Sequence, residues 1–182
     1  MAKKEKKIDS RLIYDGHILQ LYKDEVLCLN GQKSTREIVR HPGGVCILAM
    51  IDNKIIMEKQ FRYAYDEEIY ELPAGKLEKN EKPYDAALRE LEEETGYKAC
   101  QLESYGTMYP SCGYTDEIIY LYYAKNLIKT KRHLDKDEDI DLCLFSIEEV
   151  IEMMQKNVIK DAKTICLLSK YLFDLKDNNK KI

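Results

Sequence analysis

One well-delimited helix set between strand-forming runs constrains this chain more than any other feature. Pro83 suits the first turn of a helix, Gly96 supplies a stop, and Ala86, Ala87, Leu88 and Leu91 give the segment between them apolar contacts. Upstream, "HILQLYKDEVLCLNGQKSTREIVRHP" reads as two extended runs joined at Asn30-Gly31, both residues tolerant of positive φ, and so as a hairpin. After "HPGG", the buried-looking strand "VCILAMI" turns at Asp52-Asn53 toward an antiparallel partner, "KIIMEKQFRY". "EEIYELPAG" is a further strand, ended by Pro73 and Gly75.

Downstream, "CQLESYGTMYP" and "DEIIYLYYAKNL" are β-branched or aromatic rich. A charged loop, "KTKRHLDKDED", then leads into a short strand, "IDLCLFS". Ser146 with Glu149 forms a capping box, and Asp161 caps a last helix in which Ile165, Leu168 and Leu172 share a face. Many strands, one central helix and two C-terminal helices predict an α+β layered domain rather than an alternating doubly wound sheet.

The 182 residues and 45% hydrophobic content suit one globular domain with a sizeable core. Net charge is -4 and the lysines cluster only at Lys3 to Lys7 and Lys176 to Lys181, so nucleic acid is not an expected partner. No apolar run approaches the roughly 18 residues of a membrane span. "MAKKEKKIDS" lacks the apolar core of a signal peptide, and the expected compartment is the cytoplasm. The cysteines Cys28, Cys46, Cys100, Cys112, Cys143 and Cys166 have no CxxC spacing, and most sit in apolar stretches, which predicts reduced core thiols.

Within the central helix, glutamate occupies positions 90, 92, 93 and 94. At about 100° per residue, Glu90, Glu93 and Glu94 share one face and Glu92 points away. The Glu90/Glu94 pair is a like-charge (i, i+4) contact, disfavoured by about 0.2–0.5 kcal/mol in an isolated helix. The helix macrodipole also disfavours anions at this C-terminal end. A hard divalent cation such as Mg²⁺, which takes carboxylate oxygens and is shared with substrate phosphates, resolves both conflicts.

The segment "GKLEKNEKPYDAALRELEEETGY" resembles the signature of the Nudix family at each fixed position: Gly75, Glu81, Arg89-Glu90-Leu91, Glu93-Glu94 and Gly96-Tyr97. The resemblance implies a mixed β-sheet sandwiched between helices, with an N-terminal β-hairpin extension. The expected layout is a tail and hairpin over residues 1–42, a catalytic domain over 43–176, and a disordered tail over 177–182. It further implies that Glu90 and Glu94 are the prime ligands of Mg²⁺ or Mn²⁺, with Glu93 a third and the Ala74 backbone carbonyl a fourth. Arg89 and Glu81, with Gly75, would hold loop and helix in register around them.

The family resembled here hydrolyses nucleoside diphosphates linked to another group, using water and a carboxylate base. In similar enzymes that base lies in an acidic loop before the last strand. Glu138 is the first candidate, as base or additional metal ligand, followed by Asp135, Asp137 and Asp139. "REIVRHPGGVCIL", "EKQFRYAYDEEIYELPAGKLE" and "YPSCGYTDE" look most like the ADP-ribose pyrophosphatase branch. That branch implies Arg62 on the pyrophosphate or terminal ribose phosphate, Arg36 and Glu37 near the adenine, and products AMP and ribose 5-phosphate. It also implies a homodimer whose hairpins pack on the neighbouring subunit.

The branch carries Ser-Pro-Gly where this chain has Ser111-Cys112-Gly113, with the proline displaced to Pro110. Another nucleotide sugar or a dinucleoside polyphosphate is therefore an alternative substrate. A non-catalytic nucleotide-binding regulator is an alternative of a different class, and the intact Arg89, Glu90, Glu93 and Glu94 set argues against it.

Overall fold

The computed structural model describes residues 3–136 and 138–179 and forms two compact units. One comprises Met1–Gly43 and Tyr109–Ile118; the other comprises Gly44–Met108 and Ile119–Ile182.

The first unit is an antiparallel sheet of β1 (Lys6–Asp15), β2 (Gln20–Leu27) and β3 (Lys33–Arg40), in that order. The Asn30-Gly31 turn forms as expected: Gly31 has φ 81° and donates its N–H to the Cys28 carbonyl at 2.9 Å. Three strands stand where the sequence predicts two, because Lys6–Asp15 is a strand and not a tail. Its burial pattern is exposed throughout and two register shifts interrupt its pairing, so the alternation that betrays a half-buried strand is missing. The Ser10 hydroxyl nevertheless donates to the buried Asp24 across the pair at 2.6 Å. Residues Tyr109–Ile118 join this unit through Val39, whose N–H donates to the Tyr114 carbonyl at 2.7 Å, and through an Arg40–Asp116 ion pair at 2.8 Å.

The second unit contains β4 (Gly44–Leu48), β5 (Met50–Ile51), β6 (Lys54–Arg62), β7 (Glu67–Glu71) and β8 (Ala74–Lys76). These are followed by α1 (Pro83–Thr95), β9 (Tyr97–Met108), β10 (Ile119–Lys129), β11 (Ile140–Phe145), α2 (Ile147–Gln155) and α3 (Ala162–Asn179). One sheet has the order β8-β4-β10-β9, in which β4 and β10 run parallel and the other pairs antiparallel. The other has the order β11-β6-β5, with β7 also on β6.

β4 explains the layering. Val45, Ile47 and Ala49 pack with Ala86, Ala87 and Leu91 of α1, whereas Cys46 and Leu48 pack with Val150 of α2 and Leu167 and Leu168 of α3. A strand covered on both faces has no polar side to show, which is why "VCILA" reads as an unbroken apolar run. The sheet is thus sandwiched between helices, as an α+β domain. Leu91 is fully buried in the α1 layer, and truncating it to alanine costs about 2–5 kcal/mol.

The helix ends follow their sequence signals. Pro83 is the first residue of α1, Gly96 closes it in the left-handed region at φ 71°, the Ser146–Glu149 capping box starts α2, and Asp161 accepts from the Thr164 N–H at 2.9 Å. α3 continues through Asn179, past the Asp177 where fraying is expected. All six cysteines are free, but only Cys46 lies in the core; Cys100 and Cys112 are exposed. Cys100 alternates outward on β9 beside the buried Ala99, and Cys112 sits in the irregular Tyr109–Ile118 segment.

Candidate active site

Glu90 and Glu94 fall on the core-facing side of α1, on the stripe that Ala86 begins four residues earlier, and only 8% and 4% of their surface is exposed. Glu93 is half-exposed at their edge. Two contacts fix the buried pair. The Ala74 N–H donates to Glu94 Oε2 at 3.0 Å, and the Glu90 carboxylate lies so close over Gly75 that a Cβ there would overlap it. Gly75 is thus required by the approach of Glu90, with β8 delivering both backbone groups through its pairing with β4.

Arg89 ties the cluster together. Its Nε and Nη2 donate to the two oxygens of Glu81 at 2.8 and 2.9 Å, and its Nη1 lies 2.9 Å from both Glu90 Oε1 and Glu93 Oε2. Nη2 also reaches the Lys76 carbonyl at 3.3 Å. These bonds hold Glu81 below its usual carboxylate range. Burial outweighs Arg89 at Glu90 and pushes that carboxyl up to about 6. Glu94 is raised well above the ordinary value by burial, then by the charges of Glu58 and Glu90.

A cavity of about 130 Å³ opens over this cluster, lined by Gly75, Arg89, Glu90, Glu93, Asp135 and Glu138. Glu138 and Asp135 clasp each other: the Asp135 N–H donates to Glu138 Oε2 at 3.0 Å and the Glu138 N–H to the Asp135 carbonyl at 3.1 Å. Asp139 is exposed, and Asp137 lies outside the described residues. The loop is anchored at its root, where the His133 N–H donates to the Glu93 carbonyl at 2.9 Å. The Arg132 guanidinium donates to the carbonyls of Glu94 and, at 2.6 Å, Ile140. Arg132 thus sets a cation on the C-terminal carbonyls of α1, which eases the dipole conflict read from the sequence.

Arg62 donates from Nε to Glu71 Oε2 at 2.6 Å, and Lys163 of α3 takes Oε1 at 2.5 Å. Arg36 and Glu37 belong to β3 of the other unit. There Arg36 makes a two-bond pair with Glu5, at 2.5 and 3.1 Å, while Glu37 is exposed on the opposite side of the strand.

The sequence reading did not single out Glu58, Glu71, Lys163 or Arg132. Alternation on β6 carries a signal for Glu58, which is in phase with the core residue Ile56. Arg132 has none, since its role depends on where the loop folds back.

The donors fit a hard divalent cation. All are carboxylate or backbone oxygens, Glu90 is seated in a cradle that a Cβ would fill, and the buried Glu58 Oε1 has no hydrogen-bond partner. Among the described residues, no three His, Cys, Asp or Glu side chains already converge to hold an ion; Arg89 occupies Glu90 and Glu93 instead.

Residues 40–168 match the model of the NUDIX domain. The chain belongs to the Nudix family. It is 45% identical to an ADP-ribose pyrophosphatase of Bacillus subtilis over 88% of each chain. It is 46% identical to a methanol dehydrogenase activator of Bacillus methanolicus, over 88% of this chain and 89% of the relative. A solved structure titled an ADP compounds hydrolase superposes with a TM-score of 0.86 over 98% of this chain and 97% of its own, at 16% identity, a likeness of fold alone. The cluster of Arg89, Glu90, Glu93 and Glu94 built above lies within the matched residues. No helix among the described residues of this Nudix protein is long and apolar enough to cross a membrane.

Proposed function

We propose that this Nudix protein is an Mg²⁺-dependent pyrophosphohydrolase that cleaves ADP-ribose to AMP and ribose 5-phosphate. The observation that carries the reading is the burial of Glu90 and Glu94 side by side on α1, Glu90 over Gly75 and paired with Arg89, and Glu94 accepting from the Ala74 N–H. Two buried like charges are costly unless a cation joins them. The similarity to an ADP-ribose pyrophosphatase supports the substrate.

In this reading Glu90, Glu94, Glu93 and the Ala74 carbonyl hold Mg²⁺ or Mn²⁺, and Gly75, Glu81 and Arg89 keep them in place. A bound divalent cation neutralises the diphosphate and lowers the pKa of water. Glu138 takes the proton of the attacking water, which forms a bond to phosphorus as the P–O–P bridge breaks. Arg62, held by Glu71, binds phosphate. Arg36 and Glu37 serve the adenine side in a homodimer built through the N-terminal sheet.

The test is a substrate panel with product analysis: ADP-ribose, nucleotide sugars and dinucleoside polyphosphates, each with Mg²⁺ and with chelator. ADP-ribose should give the highest kcat/KM and yield AMP. Another compound preferred by orders of magnitude removes the substrate assignment. Glu94→Gln turning over within a few fold of the parent removes the metal assignment. The resemblance to a methanol dehydrogenase activator favours a second reading, action on a dehydrogenase; adding the purified protein to a methanol dehydrogenase and following its rate tests it directly.

A further inference from the structure

β6 alternates between the two cores of its unit: Ile55 and Met57 pack with the α2 and α3 layer, and Ile56 packs with α1. Glu58 follows Ile56 by two residues and so shares its side of the strand. Only 4% of it is exposed, and its Oε1 has no hydrogen-bond partner. Its cross-strand neighbour on β7 is Glu71, also buried, but the two differ in one respect. Glu71 has both oxygens committed, to Arg62 and to Lys163. Arg62 and Lys163 are therefore committed to Glu71. Arg132, the other cation acting on Glu58, donates to the carbonyls of Glu94 and Ile140, and the Glu58 oxygen is left without a bonded partner.

A buried carboxylate with an orphan oxygen is costly, and an apolar residue in phase with Ile56 would remove the cost. Its surroundings point to a use. Ile56, on the same side of the strand, packs with Ala86, Ala87 and Leu91 of α1, so Glu58 is turned toward the helix that carries Glu90 and Glu94. Glu58 thus lies beside Glu71 across the strand pair and on the side of β6 that α1 covers.

We propose that Glu58 is a further carboxylate of the divalent-cation site, supplied by β6 rather than by the helix, and that it gives up its proton and pairs with the cation together with Glu94 when the ion binds. The proposal rests on the reading that Glu90 and Glu94 hold a cation. Glu58 adds an oxygen that the bound ion would share, and it extends the site from the helix onto β6.

The experiment is Mn²⁺ titration of the full chain without substrate, read by electron paramagnetic resonance, with melting in chelator alongside. The parent, Glu58→Gln, Glu58→Leu, Glu90→Gln and Glu94→Gln are compared. Loss of Glu58 should weaken Mn²⁺ binding by about 10- to 100-fold, the usual cost of removing a supporting group. The metal-free protein should melt at the same temperature or higher, since a buried carboxyl with an unpartnered oxygen has gone. Mn²⁺ affinity within twofold of the parent in both Glu58 variants, with Glu94→Gln impaired, overturns the role of Glu58 alone. Unchanged affinity in Glu90→Gln and Glu94→Gln as well overturns the cation site itself. Failure of both Glu58 variants to fold in chelator makes Glu58 a structural residue and also overturns the proposal.

Discussion

Arg89 holds Glu81 through two parallel hydrogen bonds, Nε to Oε1 at 2.8 Å and Nη2 to Oε2 at 2.9 Å, while its remaining nitrogen faces Glu90 and Glu93. The guanidinium plane is thereby fixed from the loop before α1, and Glu90 and Glu93 are set by a cation that cannot rotate freely. Lysine cannot reproduce this fork. Arg89→Lys and Glu81→Gln should each lower kcat/KM, and their double mutant should be scarcely worse than either. A coupling energy of about 1–3 kcal/mol in the double-mutant cycle is expected. Simple additivity would show that the pair does not act as a unit.

Gly75→Ala places a methyl group where the Glu90 carboxylate now lies. The carboxylate must swing away, and misplacement of a catalytic group by about 1 Å can cost roughly 10²-fold in rate. The expected result is a loss of that order in kcat with the melting temperature changed little, measured by steady-state kinetics and calorimetry. Activity within threefold of the parent would mean that Glu90 can relocate at no cost.

The pH dependence follows from the direction of the carboxyl shifts. Burial holds Glu90 at about 6 and Glu58 at about 8 in the folded chain, and lifts Glu94 too, against 4.5 for an ordinary glutamate. Between these values the folded state binds more protons than the unfolded one. Stability from these groups is full below about 4.5 and is lost as pH rises through the folded values. In chelator the melting temperature should therefore fall from pH 5 toward pH 8. Saturating Mg²⁺ should blunt that fall, and its apparent affinity should rise over the same range, because it binds the deprotonated carboxylates. A metal-free melting temperature flat across this range would contradict the assignment.

Ser146 tests the capping box away from the site. Its hydroxyl accepts from the Glu149 N–H at 3.2 Å, and Glu149 Oε2 accepts from the Ser146 N–H at 2.7 Å. Ser146→Ala should cost about 0.5–2 kcal/mol in chemical denaturation and leave kcat/KM unchanged.

The helical part of the site was legible because its logic is local. Glu90, Glu93 and Glu94 share a face by periodicity, and Gly75, Glu81 and Arg89 follow at fixed spacings. Most strands were legible for a similar reason: alternation, the Asn30-Gly31 and Asp52-Asn53 turns and an apolar run for the doubly covered β4. β1 was not, since an exposed edge strand with register shifts leaves no period to read. The core placement expected of most cysteines failed at Cys100 and Cys112, because an apolar neighbourhood in sequence does not fix which side of a strand or loop a thiol occupies.

By itself, then, the sequence determined the Nudix signature, the helix that carries it and the identity of its acidic face. Only the tertiary structure decided that Glu90 and Glu94 are buried while Glu93 stays at the rim, that Arg132 folds back onto the end of α1, and that Glu58 is buried on β6 with an oxygen left unpartnered. Side-chain direction within one helix is set by its hydrogen-bonded geometry. The meeting of groups far apart in the chain is set by strand order and by which faces the core covers, and those are properties of the packed domain.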